Sequence, residues 1–598
     1  MRSRIGKEEA IAAGLAEIAK DESDADGVAL ATAARIAAGR VLPIGDGRSL
    51  GVGGSLLGET IVAATGWAPH VVWASARRTG DLGEAFGLFV ARDPRAADRP
   101  DLSLREVAEL IDALASMGNR LAKRRRLDAA FARATPLVTK YLAKAMLGSL
   151  RVGAQGGVME GAIARAFGAS VDDVRRAGAL VTDPGTLAVL ARDRRLADAR
   201  FELGRPVAYM LATPLETIAS PIDPSLHVVE DKIDGVRAQI HKVGNDVAVF
   251  ARGLERVTAA FPEIVEALRF VPGSFALDGE LVALGDGGKV RPFQALQARL
   301  RRIAPAPELV AETPTAFVAY DILHDGERDL LAAPWSERRA ALEAFARTRG
   351  PAAAFSVNGC APAPAALDGP AGQATLDDLL DPAFRAARAR GHEGLVLKRV
   401  DAPYDAGRRG QAWIKVKRAF ATLDVVLTAA EEGHGRRAGV LSDYTFGVWR
   451  GDEIVNVGKA YSGLTDVELD AMQRRIQRLS EGRFGGVRVV RPEVVLEVAF
   501  DGIQRSTRHK SGFALRFPRI VRIRDDKRPE DADRLEAVES LFASQVESGH
   551  REEVPADTPL EERPRPAPKA KTKAKRKKAD ERQLSLFDAG GEPARRRG

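Results

Sequence analysis

Lys232 stands inside the tetrapeptide Lys232-Ile233-Asp234-Gly235, directly after the run Val228-Val229-Glu230-Asp231. A lysine amine attacks phosphorus only as the neutral base, so a site that used it must lower its pKa by desolvation or by neighbouring cations such as a metal or other lysines. Arginine does not suit this chemistry, because the guanidinium stays charged at any accessible pH. Asp234-Gly235 predicts a turn with positive φ at the glycine, which lets the backbone bend beside a phosphate. The competing reading is a hairpin with an exposed lysine ahead of its turn, and four residues do not decide between the two.

Further candidates follow along the chain: Arg237 and Arg252, the acids of Asp278-Gly279-Glu280, Tyr320 before Asp321, Glu393-Gly394 and the pair Lys415 and Lys417. Last come Arg516-Phe517-Pro518-Arg519 and Arg524-Asp525-Asp526-Lys527. Singly, each has an ordinary explanation: a strand-end carboxylate is commonly a solvated edge residue, and Lys-x-Lys on a strand shows one face to water. Their order, from nucleophile through carboxylate, aromatic, carboxylate and lysine pair to arginine cluster, is the informative feature.

The elements that must position these groups come from composition and periodicity. A chain of 598 residues exceeds what one core supports and predicts two to four domains. Apolar residues at 45% and charged residues at 29% give a globular balance, and a net charge of +8 favours a polyanionic partner. The single cysteine, Cys360, excludes an internal disulfide and a Cys-rich zinc site and fits a reducing cytoplasm. Met1-Arg2-Ser3-Arg4 with Glu8 and Glu9 lacks a signal-peptide core, and no apolar run is long enough to span a bilayer, so the protein is expected to stay inside the cell.

Residues 1–205 read as helical. Ser103 and Glu106 form a capping-box pattern ahead of Val107, Leu110, Ile111, Leu114 and Met117 at helical spacing. A second helical pattern runs through Leu137, Tyr141, Met146 and Leu150 to Arg151-Val152-Gly153, and Gly51-Val52-Gly53-Gly54 lacks the Gly-Lys-Ser/Thr of a phosphate loop and reads as a turn. From 206 to 420 short β-like runs predominate: Val228 to Glu230, Arg237 to His241, Val247 to Phe250, Phe275 to Leu277, Thr315 to Tyr320 and Gly394 to Leu397. The Ala/Pro-rich stretch from Pro351 through Pro370 reads as a surface loop. A further β-rich block, within 421–545, is broken by a helical pattern from Val467 to Leu479, and residues 546–598 are Pro- and Lys-rich and expected to be disordered.

Taken together, the ordered motifs resemble the successive signatures of the covalent nucleotidyltransferases, and the flanking sequence resembles the ATP-dependent DNA ligases over roughly residues 30 to 530. The resemblance implies a multidomain fold: an all-α N-terminal DNA-binding domain, an α+β nucleotidyltransferase (adenylation) domain, a β-barrel OB-fold domain and a disordered basic tail. It implies ATP and Mg²⁺ as cofactors and nicked double-stranded DNA as partner, in repair, recombination or replication. Lys232 would form the phosphoramide with AMP, Glu230 would accept from the adenine amine, and Tyr320 would stack on the base. Arg237 and Arg252 would hold ribose, phosphate or the DNA 5′-phosphate, where a planar fork donates bidentately. Glu280 and Glu393 would bind Mg²⁺, which takes few carboxylates and keeps several waters. Lys415 and Lys417 would neutralise the α-phosphate and depress the Lys232 pKa. Arg516 would close over the nucleotide, and Arg151, Arg519 and Arg524 would face DNA. Ala251 departs from the Ser or Thr that many relatives carry before this arginine.

Gly433-His434-Gly435-Arg436-Arg437 and Gly458-Lys459 add to the likeness of the C-terminal block to that barrel. In the tail, Gln583-Leu584-Ser585-Leu586-Phe587 resembles the bacterial sliding-clamp-binding motif, with Gln583, Leu584, Leu586 and Phe587 as anchors. The same resemblance suggests a nucleoid-associated cytoplasmic monomer. An mRNA-capping guanylyltransferase shares Lys-x-Asp-Gly, but the helical N-terminus and Arg-Phe-Pro-Arg speak against it. An NAD-dependent ligase needs a four-cysteine zinc site that one cysteine cannot build. A catalytically dead DNA-binding scaffold is opposed by the presence of the lysine and both acids.

Overall fold

The computed structural model describes residues 3–547, apart from 151–153, 155, 219–221, 292, 301, 303, 352–353, 364–375, 419–420, 434–438 and 485–486. From Arg4 to Arg192 the described chain is helical, joined by short turns. Ser103 accepts from the Glu106 amide and Glu106 reaches back to the Ser103 backbone, so the helix Leu104–Ser116 starts where the capping box predicts and buries Val107, Leu110, Ile111 and Leu114. The helices close two separate cores, one around Phe86, Leu114 and Phe131 and another around Leu30, Ile163 and Ala188.

The second helical pattern is corrected in phase. In the helix Pro136–Met146, Leu137 and Tyr141 are 65% and 43% exposed, and the inward face carries Thr139, Leu142, Ala143, Ala145 and Met146. The inward face is selected by the helix Leu82–Ala91, where Gly83 lets backbone approach backbone: a Cβ there would lie 2.6 Å from the Lys140 carbonyl oxygen. Gly51 to Gly53 connect without regular structure, while Gly54 already opens the helix Gly54–Thr65.

The central region sets two sheets against one another. The first has five strands in the order Leu211–Pro214, Arg409–Val416, Gly394–Arg399, His227–Lys232 and Cys360–Pro362. Successive side chains on a strand alternate between faces, so Glu230 and Lys232 share one face, as do Trp413, Lys415 and Lys417. Register aligns these faces: Val396 stands opposite Glu230 on one side and Lys415 on the other, and Gly394 stands opposite Lys232. The reverse face, with Val229, Leu395, Leu397, Ile414 and Val416, packs on Leu380 and Phe384 of the helix Leu376–Ala389. The second sheet is built on Asp246–Ala251, Val236–Val243, Phe275–Leu284 and Thr315–Asp325, with Arg237 opposite Glu280. Its other face forms a core with Ile240, Leu277, Leu281 and Phe317.

The Ala/Pro-rich stretch is not simply a loop. Phe355–Val357 pairs in parallel with Phe317 to Ala319, and Cys360–Pro362 pairs antiparallel with Val228 to Glu230. Three residues are too few to show a period, and these strands owe their ladders to longer partners already in place. Residues 364–375 lie outside the described residues.

The C-terminal region is a further seven-stranded sheet. Its long strand Ala421–Glu432 pairs with Leu441–Arg450, Val487–Val490 and Val495–Phe500, and the helix Asp466–Leu479 begins at a Thr465/Glu468 capping box. A terminal helix, Leu535–Glu547, packs Val538 and Phe542 into the same core, an element that the sequence pattern did not reveal.

Candidate active site

Residues Ile233 to Gly235 carry the chain from the first central sheet to the second, so Lys232 ends one wall and Arg237 begins the other. Gly235 is not in the left-handed region expected of it. It is glycine because a Cβ would lie 2.3 Å from the Leu281 carbonyl oxygen and 2.7 Å from Glu280 Cγ. The tight connection brings both sheets around a cavity of about 1060 Å³, lined among others by Glu230, Lys232, Glu280, Tyr320, Glu393, Lys398, Trp413, Lys415 and Lys417.

At one end, Lys232 Nζ lies 2.9 Å from Glu393 Oε2, and the same oxygen meets Lys417 Nζ at 2.5 Å. The Glu393 amide donates to the Lys232 carbonyl at 2.7 Å, locking the two backbones together. Burial pulls the Lys232 ammonium down, but Glu393 and Glu280 outweigh it and hold its pKa above the ordinary lysine value. The expected depression is therefore absent in this arrangement, because carboxylates, and not cations, are its strongest neighbours. Lys415 is the depressed lysine, lowered first by burial and then by Lys417, Arg409 and Lys232.

The two carboxylates read as metal ligands differ sharply. Burial pushes Glu393 up, yet Lys232 and Lys417 reverse this and set it at about 2. Burial raises Glu280 to about 8, with Lys232 and Arg237 only partly opposing it. A half-buried carboxyl so short of positive charge, in the same cavity as an ionised one, fits a divalent cation that takes one or two carboxylates. Among the described residues no group of three or more His, Cys, Asp or Glu side chains forms a closed protein cage for a metal.

Arg237 is placed differently from the expectation. Its Nε and Nη2 hold Asp278 at 3.1 and 2.6 Å and its Nη1 donates to the Met210 carbonyl, while its guanidinium lies 4.6 Å from the Tyr209 ring centre and 5.2 Å from that of Trp413. Tyr404 donates to the same Asp278 at 2.7 Å. With its donors occupied, Arg237 braces the wall. Arg252 is exposed at the cavity edge, apart from this braced network, and Tyr320 stands edge-on to Trp413 at 6.0 Å.

At the other end, Glu230 and Tyr320 are joined by two residues that sequence reasoning missed, Lys398 and Asn358. Lys398, 1% exposed, lies 2.9 Å from Glu230 Oε2 and donates to the Tyr320 carbonyl at 2.9 Å, with Trp413 and Tyr320 rings 4.5 and 4.7 Å from its Nζ. Asn358 Nδ2 donates to Glu230 Oε2 at 3.2 Å and to the Asp231 carbonyl at 2.9 Å. Burial raises the Glu230 carboxyl and Lys398 and Arg339 pull against it. Lys398 had one sequence signal: it shares a face with Val396 two residues before it. Asn358 had none, since it follows a three-residue strand inside a segment read as loop.

From the C-terminal region, Arg516 enters the cavity, 3.9 Å from Asp234 and 7% exposed; burial lowers its pKa and Asp234 opposes this. Arg519 pairs with Asp501 at 3.3 Å and remains 47% exposed. Arg524, by contrast, is 13% exposed and held by Asp424 at 3.0 Å and Asp526 at 2.7 Å, so its donors serve the fold in this arrangement. Lys459 pairs with Glu431. Arg151, residues 434–437 and the tail residues Gln583, Leu584, Leu586 and Phe587 lie outside the described residues.

Three family models match in succession: "DNA ligase N terminus" over residues 2–164, "ATP dependent DNA ligase domain" over 209–417 and "ATP dependent DNA ligase C terminal region" over 437–527. A probable DNA ligase of Koribacter versatilis is 41% identical, the match covering 85% of this chain and 89% of that protein. DNA ligase 2 of Methanosarcina acetivorans is 35% identical, covering 85% of this chain and 91% of its own. A DNA ligase of Thermococcus fumicolans is 36% identical, covering 85% and 90%.

Proposed function

The chain belongs to the ATP-dependent DNA ligase family, and on that premise we propose that Lys232 is the nucleophile and that the two ends of the cavity divide the work of phosphate chemistry and base recognition. The reaction is nick sealing with ATP and Mg²⁺ through an adenylated intermediate. Lys232 Nζ, once deprotonated, forms a bond to the α-phosphorus as the bond to pyrophosphate breaks. AMP then passes to the 5′-phosphate of a nick, and the 3′-hydroxyl displaces it. The observation that carries this reading is the contact of Lys232 with Glu393 and Lys417 on the wall of one cavity shared with Glu230 and Glu280.

Lys415, Lys417 and Arg516 offer cations to the phosphates, although burial and the neighbouring cations Lys417, Arg409 and Lys232 hold the Lys415 pKa below the ordinary lysine value. Glu280 and Glu393 are the carboxylates that would hold Mg²⁺, whose charge offsets the phosphates and competes with Lys232 for both acids. Arg252, at the edge, suits a ribose or phosphate contact. Residues 1–205 act as a DNA-binding domain, 206–420 as the adenylation domain and 421–545 as an OB-fold barrel, with phosphate contacts that include Arg151 and Arg519. The Gln583-to-Phe587 motif of the C-terminal tail docks on a sliding clamp and raises the local concentration of a monomeric, nucleoid-associated enzyme.

Incubation with α-labelled ATP and Mg²⁺, with GTP and NAD in parallel, should leave label on denatured protein with ATP alone. Lys232→Ala should abolish labelling while still sealing nicks that are already adenylated. Label that persists in this variant removes Lys232 from the role.

A further inference from the structure

Two separate stretches of the cavity lining are braced from outside by the helical region. The first is the tight hairpin after Asp246–Ala251, in which the Ala251 amide donates to the Glu255 carbonyl at 3.0 Å and the Leu254 amide to the Ala251 carbonyl at 2.8 Å. Arg252 and Leu254 line the cavity, and Leu254 lies in the left-handed region at φ +64°, where a leucine stays only if its surroundings hold it. Those surroundings include residues 40–47. Arg40 Nη2 donates to the Gly253 carbonyl at 3.2 Å, and a Cβ on Gly47 would lie 2.9 Å from Arg256 Cδ. Gly45, at φ +87°, carries the same segment against the foot of the hairpin, where a Cβ would lie 3.1 Å from Pro206 and 3.8 Å from Phe250. The segment is itself stiff: Arg35 grips Asp183 through two nitrogens, Asp183 accepts from the Ile44 amide, and Arg48 bridges Asp46 and Asp112 at 2.8 Å each. The second stretch is Ala208 with Gly407. The Ala208 amide donates to the Ala179 carbonyl of the helix Val171–Val181 at 2.8 Å, and a Cβ on Gly407 would lie 3.3 Å from Ala179 Cβ.

We propose that Arg40 is a positioning residue for the first step: by holding the Gly253 carbonyl from the helical region it fixes the rim from which Arg252 meets the nucleotide, so that ATP capture depends on a part of the chain outside the two central sheets. The guanidinium is a donor that does not titrate away, and it stands on a braced segment, so it can impose a backbone position on a hairpin that is strained at Leu254. Arg40 does not itself line the cavity. Its effect therefore passes through the backbone to Arg252 and falls on nucleotide binding, not on the bond-making at Lys232. This rests on the reading of Lys232 as the adenylated residue and of Arg252 as a nucleotide contact, and deepens it.

The test follows self-adenylation of the full chain by α-labelled ATP with Mg²⁺, as a single turnover across a range of ATP concentrations, in wild type, Arg40→Ala, Arg252→Ala and the double variant. In Arg40→Ala the half-saturating ATP concentration should rise about fivefold, the loss of one hydrogen bond from a charged donor at an open site, while the limiting rate at saturating ATP stays within about a factor of two of wild type. In the Arg252→Ala background Arg40→Ala should raise the half-saturating concentration no further, since the side chain it positions is gone. An unchanged half-saturating concentration in Arg40→Ala overturns the proposal, as does an equal rise in both backgrounds. A joint fall of the limiting rate and of Tm overturns it too, because that marks a merely structural role. Wild-type protein that retains no label, or Lys232→Ala protein that retains it, overturns the reading of Lys232 instead.

Discussion

The cavity contains two lysine–glutamate pairs at the same separation and in different surroundings. Lys232 and Glu393 meet at 2.9 Å with side chains 26% and 23% exposed, while Lys398 and Glu230 meet at 2.9 Å with both side chains 2% exposed. The first pair is shared with Lys417 and borders the phosphate end; the second is wedged among Tyr320, Trp413 and Asn358. A partly solvated pair can separate at small cost and release a nucleophile. A buried pair cannot, because each charge left alone in a dry site is strongly penalised. Identical chemistry therefore gives a reactive contact at one end and a fixed recognition surface at the other.

Removing one partner from each pair should break the symmetry most visibly. Lys398→Met should destabilise the central region by about 3–5 kcal/mol, since Glu230 is left buried and uncompensated, while Lys232→Met should cost less than about 1 kcal/mol. Denaturant unfolding of the two full-length variants in chelator checks this, and equal losses would mean that the open pair is as structural as the closed one.

A smaller effect should separate Glu280 from Glu393. Glu280 is raised to about 8 in the fold, so its contribution is present below the unfolded carboxyl value near 4.5 and is lost as pH rises through about 8. Glu393 is lowered to about 2, so its contribution is present above 4.5 and lost as pH falls toward 2. Glu280→Gln should therefore raise the Tm of metal-free protein at pH 8.5 by about 2–4 °C for each kcal/mol relieved, and leave it nearly unchanged at pH 4.5. A Tm gain of the same size at both pH values would show that charge on Glu280 is not the cause.

The smallest contrast lies on the C-terminal region. Arg519, half open to solvent, should lose nick affinity on replacement by alanine and lower the salt slope by about one. Arg524→Ala should leave affinity nearly intact and weaken the C-terminal fold slightly, because its donors already bind Asp424 and Asp526. Filter binding across a salt series distinguishes them, and a matching slope change in Arg524→Ala would return that arginine to the DNA-contacting face.

Much of the arrangement is legible in the order and spacing of the residues. The capping box at Ser103 and Glu106 marks a helix start, and the strand cores at Val228, Val247 and Thr315 appear where their β-branched runs lie. The two-residue spacing of Glu230 with Lys232 and of Lys415 with Lys417 implies shared faces. Less is legible where a long partner decides the outcome. Leu137 and Tyr141 read as inward but face solvent, because the helix Leu82–Ala91 selects a different side of Pro136–Met146. Phe355–Val357 and Cys360–Pro362 have no pattern of their own and exist through their partners' ladders.

By itself the sequence determined which groups are present and in what order: a lysine that can become a nucleophile, acids that can hold a hard cation, and arginines and lysines that can meet phosphates. Those properties belong to side-chain chemistry and short-range periodicity, which a chain carries locally. The tertiary structure alone decided that Glu280 is raised and Glu393 lowered, that Lys232 is held charged by carboxylates, and that Arg237 braces a wall. It also decided that Asn358 reaches Glu230 from 128 residues away. Proton affinity and hydrogen-bonding sense depend on desolvation and on neighbours within a few ångströms, and those neighbours are supplied by strands whose register is fixed only when the sheets close.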